Sequence, residues 1–228
     1  MTGVRARVRA ELTEEILAVA RRHLAEQGAA ALSLRGVARD VGMVSSAIYR
    51  YFASRDELLT ALIVEAFDAV GEAAEQADAT RPRDDLAGRW LAVARAVRGW
   101  AIANPQQYAL VYGSPVPGYA APPDTVDPAA RVSFVLLQLL VDGTASGVLE
   151  DERIETSRAV RADLARLRGL APGVPDGVLA RGMHAWTWLF GHISYELFGH
   201  LHGVIEDYDA FFDLQAARTG EWLLGSHL

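Results

Sequence analysis

Five residues in the first quarter of the chain have the types and spacing that suit contacts with a nucleic acid. Ser45, Ser46 and Ala47 are small, and Tyr49 and Arg50 follow after one apolar residue. Small side chains let a helix approach base edges closely, whereas tyrosine and arginine reach phosphates or a guanine. The alternative is an ordinary helical hairpin whose polar face meets water, because such short patterns also arise by chance.

A second candidate is a histidine–glutamate–histidine set at four-residue steps. His192, Glu196 and His200 would share one helix face, and imidazole and carboxylate groups at such spacing bind zinc. Three ligands strung along two turns rarely converge on one ion, so we interpret the set as a hydrogen-bonded or interfacial polar strip and expect no metal. The sequence has no cysteine, glycine-rich phosphate loop or nucleophile elbow. We therefore expect neither a cofactor nor enzymatic activity.

The elements around the first candidate predict how it is positioned. Leu34, Val37 and Ala38 recur at helical spacing, which predicts a short helix with one apolar face. Ser33 stands where an N-cap residue would accept a backbone N–H, and Gly42 tolerates the left-handed conformation that ends helices. Two short helices joined by such a turn form a helix-turn-helix, whose second helix enters the DNA major groove.

The second helix is predicted to begin at residues 44–46 and to pack through Ile48 and Phe52, which stand four residues apart. Ser54 and Glu57 then have the spacing of a capping box, which opens a long helix with an apolar stripe. This helix, over residues 55 to about 78, continues beyond the helix-turn-helix and is expected to link it mechanically to the rest of the chain.

With this turn, short helix and capping box, the sequence resembles the TetR family of bacterial transcription regulators. The resemblance covers residues 11 to about 67, and it departs from the family at Met43, Val44 and Ser46 and by having Arg55 in place of the usual lysine. The operator sequence therefore does not follow from it. The spacing of turn, short helix and following helix is matched by Gly42, Tyr49, Phe52, Ser54, Arg55 and Leu58.

The charge distribution is compatible with this resemblance. The chain of 228 residues has a formal net charge of −7, which is unusual for a DNA-binding protein. Residues 1–60, however, contain nine arginines and seven acidic residues, so the excess acid lies in the remainder. An acidic body would repel DNA in wrong orientations. The sequence has no apolar run of about 20 residues and no secretory signal, so we expect a cytoplasmic protein without a membrane anchor.

The remaining periodicities predict an all-α protein. We expect residues 1–54 to form a DNA-binding domain, and residues 55–228 a ligand-binding and dimerisation domain. Residues 1–10, with Arg5, Arg7 and Arg9, are either a solvated disordered tail or an arm that contacts phosphates. Residues 113–128 are expected to form an ordered proline-rich loop, and residues 150–152 a solvated acidic helix end. Helices are predicted at about 11–27, 55–78, 85–103, 129–148, 158–170, 178–201 and 208–224, with one short helix from Pro105.

A small-molecule pocket in the body is implied by the resemblance, since TetR-like bodies bind an effector among their helices. Each aromatic residue of the body could equally be simple core packing, but together they provide an apolar pocket with a few polar tips. Tyr108, Tyr112 and His184 are the expected polar contacts. The candidate ligand-binding residues are Trp90, Trp100, Tyr108, Tyr112, Phe134, His184 and Trp188.

The helix predicted at 178–201 is apolar on two faces, so both faces must be covered. One face would pack on its own core, and the other is expected to contact a second copy of the chain. The resemblance assigns the last two long helices to a homodimer interface. The candidate interface residues are Trp188, Gly191, Tyr195, Gly199, Phe212 and Trp222.

These observations predict a homodimeric, ligand-responsive regulator, expected to be a repressor, that binds a double-stranded DNA operator and an unknown small-molecule effector. One alternative is a ligand-binding protein that does not bind DNA, and another is a helical enzyme that uses the same pocket. The candidate DNA-binding residues are Ser33, Arg35, Val44, Ser45, Ser46, Ala47, Tyr49, Arg50, Tyr51 and Arg55.

Overall fold

The structure is a computed structural model that describes residues 2–151 and 154–225. Every regular element in these two ranges is helical, which confirms the predicted all-α class. Three short 3-10 turns lie at Ala29–Ala31, Ile48–Arg50 and Pro123–Thr125. The α-helices are α1 (Thr2–Gln27), α2 (Leu34–Asp40), α3 (Arg55–Ala79), α4 (Leu86–Ala103), α5 (Pro105–Tyr112), α6 (Val126–Ala145), α7 (Arg158–Leu170), α8 (Asp176–Leu197) and α9 (Tyr208–Leu223).

The chain divides into two compact units. Unit 1 contains Met1–Ala69 and Asn104–Ala129, and unit 2 contains Val70–Ala103 and Ala130–Leu228. The physical reason is packing: α5 and the proline-rich loop contact the helix-turn-helix core, so they group with the N-terminal helices. Helix α3 is one continuous α-helix from Arg55 to Ala79.

Unit 1 is built on the apolar faces that the sequence predicts. Leu34, Val37 and Ala38 of α2 are buried against Ile48 and other residues of the same core. The partly buried Leu110, Val111, Val116 and Tyr119 complete this core from α5 and the loop after it. Because these side chains cover the helix-turn-helix, the loop is ordered by its own apolar contacts, as expected.

The N-terminal ten residues differ from the tail interpretation. Helix α1 begins at Thr2, so Arg5, Arg7 and Arg9 lie on helical turns that continue into the predicted helix. Arg7 is within 3.9 Å of Glu11, an ion pair with the i,i+4 spacing of a helix. The alternation of arginine with small and β-branched residues has no apolar helical stripe, which is why periodicity alone missed this segment.

Unit 2 is held together by aromatic packing and by ion pairs between helices. The Trp90 side chain is buried, and its Nε1 donates to the Ala216 carbonyl at 2.8 Å. A Cβ at Gly220 would lie 2.7 Å from the Trp90 ring, so glycine is needed there for α9 to approach α4. These contacts fix α9 against α4.

A second fixed point in unit 2 is the guanidinium of Arg89, which is fully buried. It donates at 2.8 Å to Asp78 at the end of α3 and at 2.8 Å to Asp142 in α6. Burial alone would lower the pKa of Arg89, but the hydrogen bonds to the two carboxylates outweigh it and raise the pKa. Removing either partner would leave a buried charge without full compensation.

Two predicted helix bounds, the end of α8 and the start of α6, are wrong for local reasons. Helix α8 ends at Leu197, and Gly199 has φ +80° just beyond it. The His200 N–H bonds to the Tyr195 carbonyl at 2.9 Å, which is the backbone closure of a Schellman C-cap. Helix α6 begins at Val126, because Pro128 falls in its first turn, where a missing N–H is tolerated.

Of the predicted acidic cluster 150–152, Glu152 lies outside the described residues.

Candidate nucleic-acid interface and ligand cavity

The turn between α2 and the next segment has the geometry that the sequence predicts. The Ser33 Oγ accepts a long hydrogen bond from the Gly36 N–H at 3.5 Å, and the Ser33 and Arg35 side chains are exposed. Gly42 has φ +79°, and the Met43 N–H bonds to the Ala38 carbonyl at 2.8 Å. The chain therefore reverses directly after α2 and presents the next residues at a fixed angle.

The predicted second helix is a short run of 3-10 hydrogen bonds and not an α-helix. Most of the bonds join residues three apart, with the Ala47 N–H donating to the Val44 carbonyl at 2.8 Å and the Arg50 N–H to the Ala47 carbonyl at 3.1 Å; the Phe52 N–H bonds four residues back, to the Ile48 carbonyl, at 3.0 Å. Ile48 and Phe52 are buried, as predicted. The other candidates on this segment are exposed or half-exposed, so they remain accessible to a ligand the size of DNA. We call residues 44–52 the recognition segment.

One arginine that the sequence analysis did not assign holds the end of the recognition segment. The Arg9 Nη2 donates to the Arg50 carbonyl at 2.8 Å, and its guanidinium lies 5.1 Å from the centroid of the Tyr51 ring. Arg50 and Tyr51 are thereby tied to the first turns of α1. The regular spacing of Arg5, Arg7 and Arg9 draws attention to this region, but it does not indicate which of them makes a contact.

A second unpredicted pair braces α1 against α2. The His23 side chain is buried, and its Nε2 lies 2.7 Å from the Asp40 Oδ2. The hydrogen bond from His23, together with one from Arg39, lowers the pKa of Asp40 below its ordinary value. This pair fixes the end of α2 directly before the Gly42 turn.

Arg55 occupies a different environment from the one predicted. Its guanidinium donates to the Leu32 carbonyl at 3.0 Å and to the Ala29 carbonyl at 2.8 Å. These bonds engage the link between α1 and α2, so Arg55 supports the fold of unit 1 through its Nε and Nη2 donors. A sequence pattern cannot show this, because the acceptors are backbone atoms more than 20 residues away.

The predicted capping box at the start of α3 is present in a modified form. The Glu57 N–H donates to the Ser54 Oγ at 3.1 Å, as the pattern requires. The Glu57 carboxylate accepts from the N–H of Ala53, the residue before the cap. Both ends of the box therefore satisfy backbone donors, and they fix where α3 begins relative to the recognition segment.

Unit 2 contains an apolar cavity of about 260 Å³ among α4, α6, α7, α8 and α9. Leucines from α6, α7, α8 and α9 and the Trp90 and Trp186 rings supply most of its wall. Ser133 of α6 is the lining residue with a hydroxyl group. The cavity therefore suits an apolar small molecule.

Sequence comparison decides the family. The profile described as "Bacterial regulatory proteins, tetR family" matches residues 16–62, and the profile "Tetracyclin repressor-like, C-terminal domain" matches residues 90–219. The chain belongs to the TetR family. The first profile matches within residues 11 to about 67, the part of the chain that carries the resemblance.

Relatives that match over most of the chain are named as transcription regulators. The HTH-type transcriptional regulators Rv1816 of Mycobacterium tuberculosis and Mb1846 of Mycobacterium bovis are each 40% identical over 217 residues, covering 93% of this chain and 92% of theirs. The family and these relatives are DNA-binding transcription regulators and not enzymes. This TetR-family protein is accordingly a DNA-binding transcription regulator, and the enzyme alternative is excluded.

Solved structures agree with the fold. The regulatory protein SCO4313 is 36% identical, with a TM-score of 0.76 over 96% of this chain and 98% of that chain. The TetR-family regulator PfmR of Thermus thermophilus is 18% identical, with a TM-score of 0.57 over 92% of this chain and 97% of that chain. At the lower identity the likeness concerns the fold alone.

In this TetR-family body, most of the predicted ligand-binding residues lie away from the cavity. Trp90 lines it, but Tyr108 and Tyr112 belong to unit 1, where their rings are 5.1 Å apart and burial raises the pKa of Tyr112. Phe134 lines a separate, charged cleft with Arg131 and Glu75. The residue type of an aromatic side chain does not indicate which side of its helix it lies on. Trp100, His184 and Trp188 are also absent from the cavity wall.

The predicted interface residues are divided between the surface and the interior. Tyr195, Gly191 and Trp222 are exposed, and Trp188 is half-buried. A Cβ at Gly191 would meet nothing within 4 Å, so the fold of one chain does not require glycine there. Phe212 is fully buried, because its ring packs on Trp188 at 5.8 Å, so it belongs to the core of unit 2. Gly199 lies exposed after the end of α8.

The polar strip on α8 is explained by ion pairing and aromatic packing. Glu196 accepts two hydrogen bonds from Arg98, at 2.8 and 2.7 Å. His192 stacks beside Trp188 and Phe212, with ring centroids 5.3 Å away in each case. Within residues 2–151 and 154–225, no cluster of three or more metal-ligating side chains is present, and no helix is long and apolar enough to span a membrane.

Proposed function

We propose that this regulator is a homodimeric repressor that releases a pseudo-palindromic DNA operator when a small molecule binds unit 2. The observation that supports it most directly is the recognition segment itself. Its apolar side chains Ile48 and Phe52 are buried, and its polar side chains Ser45, Tyr49 and Arg50 are exposed. An exposed polar segment after a glycine turn, backed by a packed core, is the arrangement that reads a DNA groove.

DNA contact is proposed for the exposed candidates within residues 1–54, which we take as the DNA-binding domain. Tyr49 and Arg50 reach phosphates or a guanine, and Ser45, Ser46 and Ala47 leave room for base edges. Ser33 and Arg35, at the start of α2, add contacts to the backbone. Arg55 is left out of this set because its donors are engaged with the Leu32 and Ala29 carbonyls.

The dimer is proposed to form through the exposed faces of α8 and α9. Tyr195 is 59% exposed and Trp222 is 47% exposed, which is more large apolar surface than solvent alone favours on two adjacent helices. The exposed Gly191 would let a partner helix approach closely. Two heads would then reach two major grooves about 34–36 Å or slightly more apart on one face of the DNA.

Ligand control is proposed to act through two chain connections. Helix α3 begins at the capping box beside the recognition segment and carries Asp78, which binds Arg89, in its last turn. Helix α4 lines the cavity and is followed after Asn104 by α5, whose side chains pack on the core of unit 1. The protein is proposed to exchange between an operator-binding state and an operator-released state. A ligand shifts this equilibrium only by the difference between its affinities for the two states. DNA binding also implies that the protein works in the bacterial cytoplasm.

The proposal is tested by measuring binding of the purified protein to DNA from upstream of its own gene, by fluorescence anisotropy at several salt concentrations. We expect nanomolar, salt-dependent binding that excess unrelated DNA does not abolish. Equal binding to both DNAs, or binding to neither, would contradict the proposed operator in this upstream region. Light scattering on the same preparation reports the dimer.

A further inference from the structure

The walls of the cavity in unit 2 restrict the chemical class of its ligand. Among the residues that the structure describes, no charged side chain lines it, and the polar side chains are the Ser133 hydroxyl and the indole groups of Trp90 and Trp186. The Trp90 N–H already donates to the Ala216 carbonyl at 2.8 Å. A ligand in this space therefore finds at most two polar partners, one from Ser133 and one from Trp186.

The apolar wall of the cavity disfavours a charged ligand. A charged group that leaves water must be paired and hydrogen-bonded, since an isolated buried charge is strongly unfavourable. The charged helix contacts of unit 2 lie elsewhere: Arg89 is engaged by Asp78 and Asp142, and Arg98 by Glu196. A carboxylate, phosphate or ammonium group would have no partner inside the cavity.

The volume sets the size of the ligand. A cavity of roughly 150 Å³ lined by apolar residues accepts one benzene molecule, so the observed volume of about 260 Å³ accommodates about ten non-hydrogen atoms. Gly182 helps to set this limit, because a Cβ there would lie 2.4 Å from the Leu140 Cδ1, and both residues line the space.

Two exposed lining residues indicate where the cavity opens to solvent. Most of the lining leucines are buried, but Leu170 at the end of α7 is 58% exposed and Met183 on α8 is 40% exposed. These two residues therefore mark the side where the cavity opens to solvent. Helix α7 carries the buried Leu164 and the half-buried Leu167 on one face and several exposed arginines on the other, and Leu167 and Leu170 form the α7 part of the wall.

We infer that the effector is an uncharged, largely hydrocarbon molecule of about ten non-hydrogen atoms, with at most one or two hydrogen-bonding groups, such as a medium-chain alcohol or a small aromatic compound. This inference rests on the proposed ligand-responsive function, which it makes more specific. It excludes ionised acids, amines and phosphorylated metabolites as occupants of the cavity.

The first experiment compares two probes of equal size on the parent protein without DNA. 1-Decanol and decylammonium differ by one terminal group and by one charge. Calorimetric titration should give saturable binding of decanol, with affinity falling about fourfold for each methylene removed down to 1-hexanol. Decylammonium should bind at least tenfold more weakly. Binding of the two probes within threefold of one another would overturn the inference, as would the absence of saturable decanol binding.

A matched pair of variants locates the site. Ala185 lines the cavity and is 2% exposed, whereas Ala165 lies on the exposed face of α7. Ala185→Phe should fill the space and lower decanol affinity more than tenfold, and Ala165→Phe should leave it unchanged. Retained affinity in a folded Ala185→Phe protein would place the ligand elsewhere and overturn the inference; if this variant does not fold, the charge comparison on the parent decides.

Operator binding, measured separately without decanol, distinguishes this inference from the proposed function. Decanol binding to a protein that does not bind its operator would support the cavity chemistry and contradict the proposed regulation. Operator binding without decanol binding would support the DNA-binding part of the proposed function and contradict the inferred cavity chemistry.

Discussion

The guanidinium of Arg9 lies 5.1 Å from the centroid of the Tyr51 ring. The same side chain donates to the Arg50 carbonyl at 2.8 Å, so the first turns of α1 hold the last residues of the recognition segment. A cation over an aromatic ring at an exposed site contributes about 0.5–1 kcal/mol, and a charged hydrogen bond adds to it. Arg9 is therefore a positioning residue for the DNA-binding surface.

Arg9→Ala is expected to weaken operator binding about fivefold, equivalent to ~1 kcal/mol, because the recognition segment loses a fixed end. The dependence of affinity on salt should keep its slope, since Arg9 acts on the protein and not on a phosphate. Anisotropy titrations over a range of salt concentrations measure both quantities. Arg7→Ala is the matched control, because Arg7 is exposed and its only described ion pair is with Glu11. A salt slope that falls by about one in Arg9→Ala would instead show a direct phosphate contact.

Arg50→Ala and Tyr49→Phe are expected to weaken operator binding without lowering the melting temperature. Both side chains are exposed, and Ile48 and Phe52 on the opposite side of the segment are left intact. Arg50→Ala should also reduce the salt slope by about one, because a phosphate contact is lost. If both variants bind operator as tightly as the parent at every salt concentration, the recognition segment is not the DNA contact.

Gly191→Leu is expected to weaken dimerisation, because a bulky side chain would separate the partner helices. Gly99→Leu is a matched control: Gly99 is also helical and exposed, and a Cβ there likewise meets nothing within 4 Å. Light scattering across a dilution series should show dissociation of Gly191→Leu at concentrations where the parent and Gly99→Leu remain dimeric. A parent that is monomeric at micromolar concentration would contradict the proposed interface.

The stability of the protein is expected to fall as the pH decreases through the mid-sixes, and His192 should account for part of the change. Burial lowers the pKa of His192 in the folded chain below its ordinary value of 6.5, with a smaller lowering effect from Arg98 and an opposing effect from Glu196. The unfolded chain therefore binds the proton more readily, so the stability that the neutral ring contributes is present above the unfolded pKa and is lost below it.

Urea unfolding at pH 7.5 and at pH 5.5 measures this contribution. His192→Gln should show a smaller loss of unfolding free energy between the two pH values than the parent does. His202→Gln is a suitable control, because His202 is exposed in the turn after α8. The same pH dependence in parent and His192→Gln would mean that other groups cause the loss.

Ser54→Ala is expected to cost about 1 kcal/mol of stability, because the cap that accepts the Glu57 N–H is removed. It should also weaken operator binding and reduce the factor by which a cavity ligand changes operator affinity, while ligand affinity without DNA stays the same. Linkage requires that DNA changes ligand affinity by the same factor, so calorimetry with and without operator measures the coupling twice. An unchanged coupling factor would show that the signal does not pass through the start of α3.

The sequence by itself determined the helix-turn-helix, the capping box and the all-helical class. Each of these depends on residues close together in the chain: the Ser33 cap, the Gly42 turn and the four-residue spacing of Ile48 and Phe52 all act within one or two helical turns. The bounds of α4, α7 and α9 were predicted within one residue for the same reason. Local spacing also distinguished the buried from the exposed side of the recognition segment.

Only the tertiary structure decided which side chains meet across long separations. Arg55 donates to the Leu32 carbonyl, Arg9 lies over Tyr51, and Tyr108 belongs to unit 1 and is not a lining residue of the Trp90 cavity. In each case the residue type suits several environments, because arginine binds a carbonyl as readily as a phosphate, and an aromatic ring packs in a core as readily as around a ligand. The choice depends on which helices pack together, and that is set by the sum of many contacts along the whole chain.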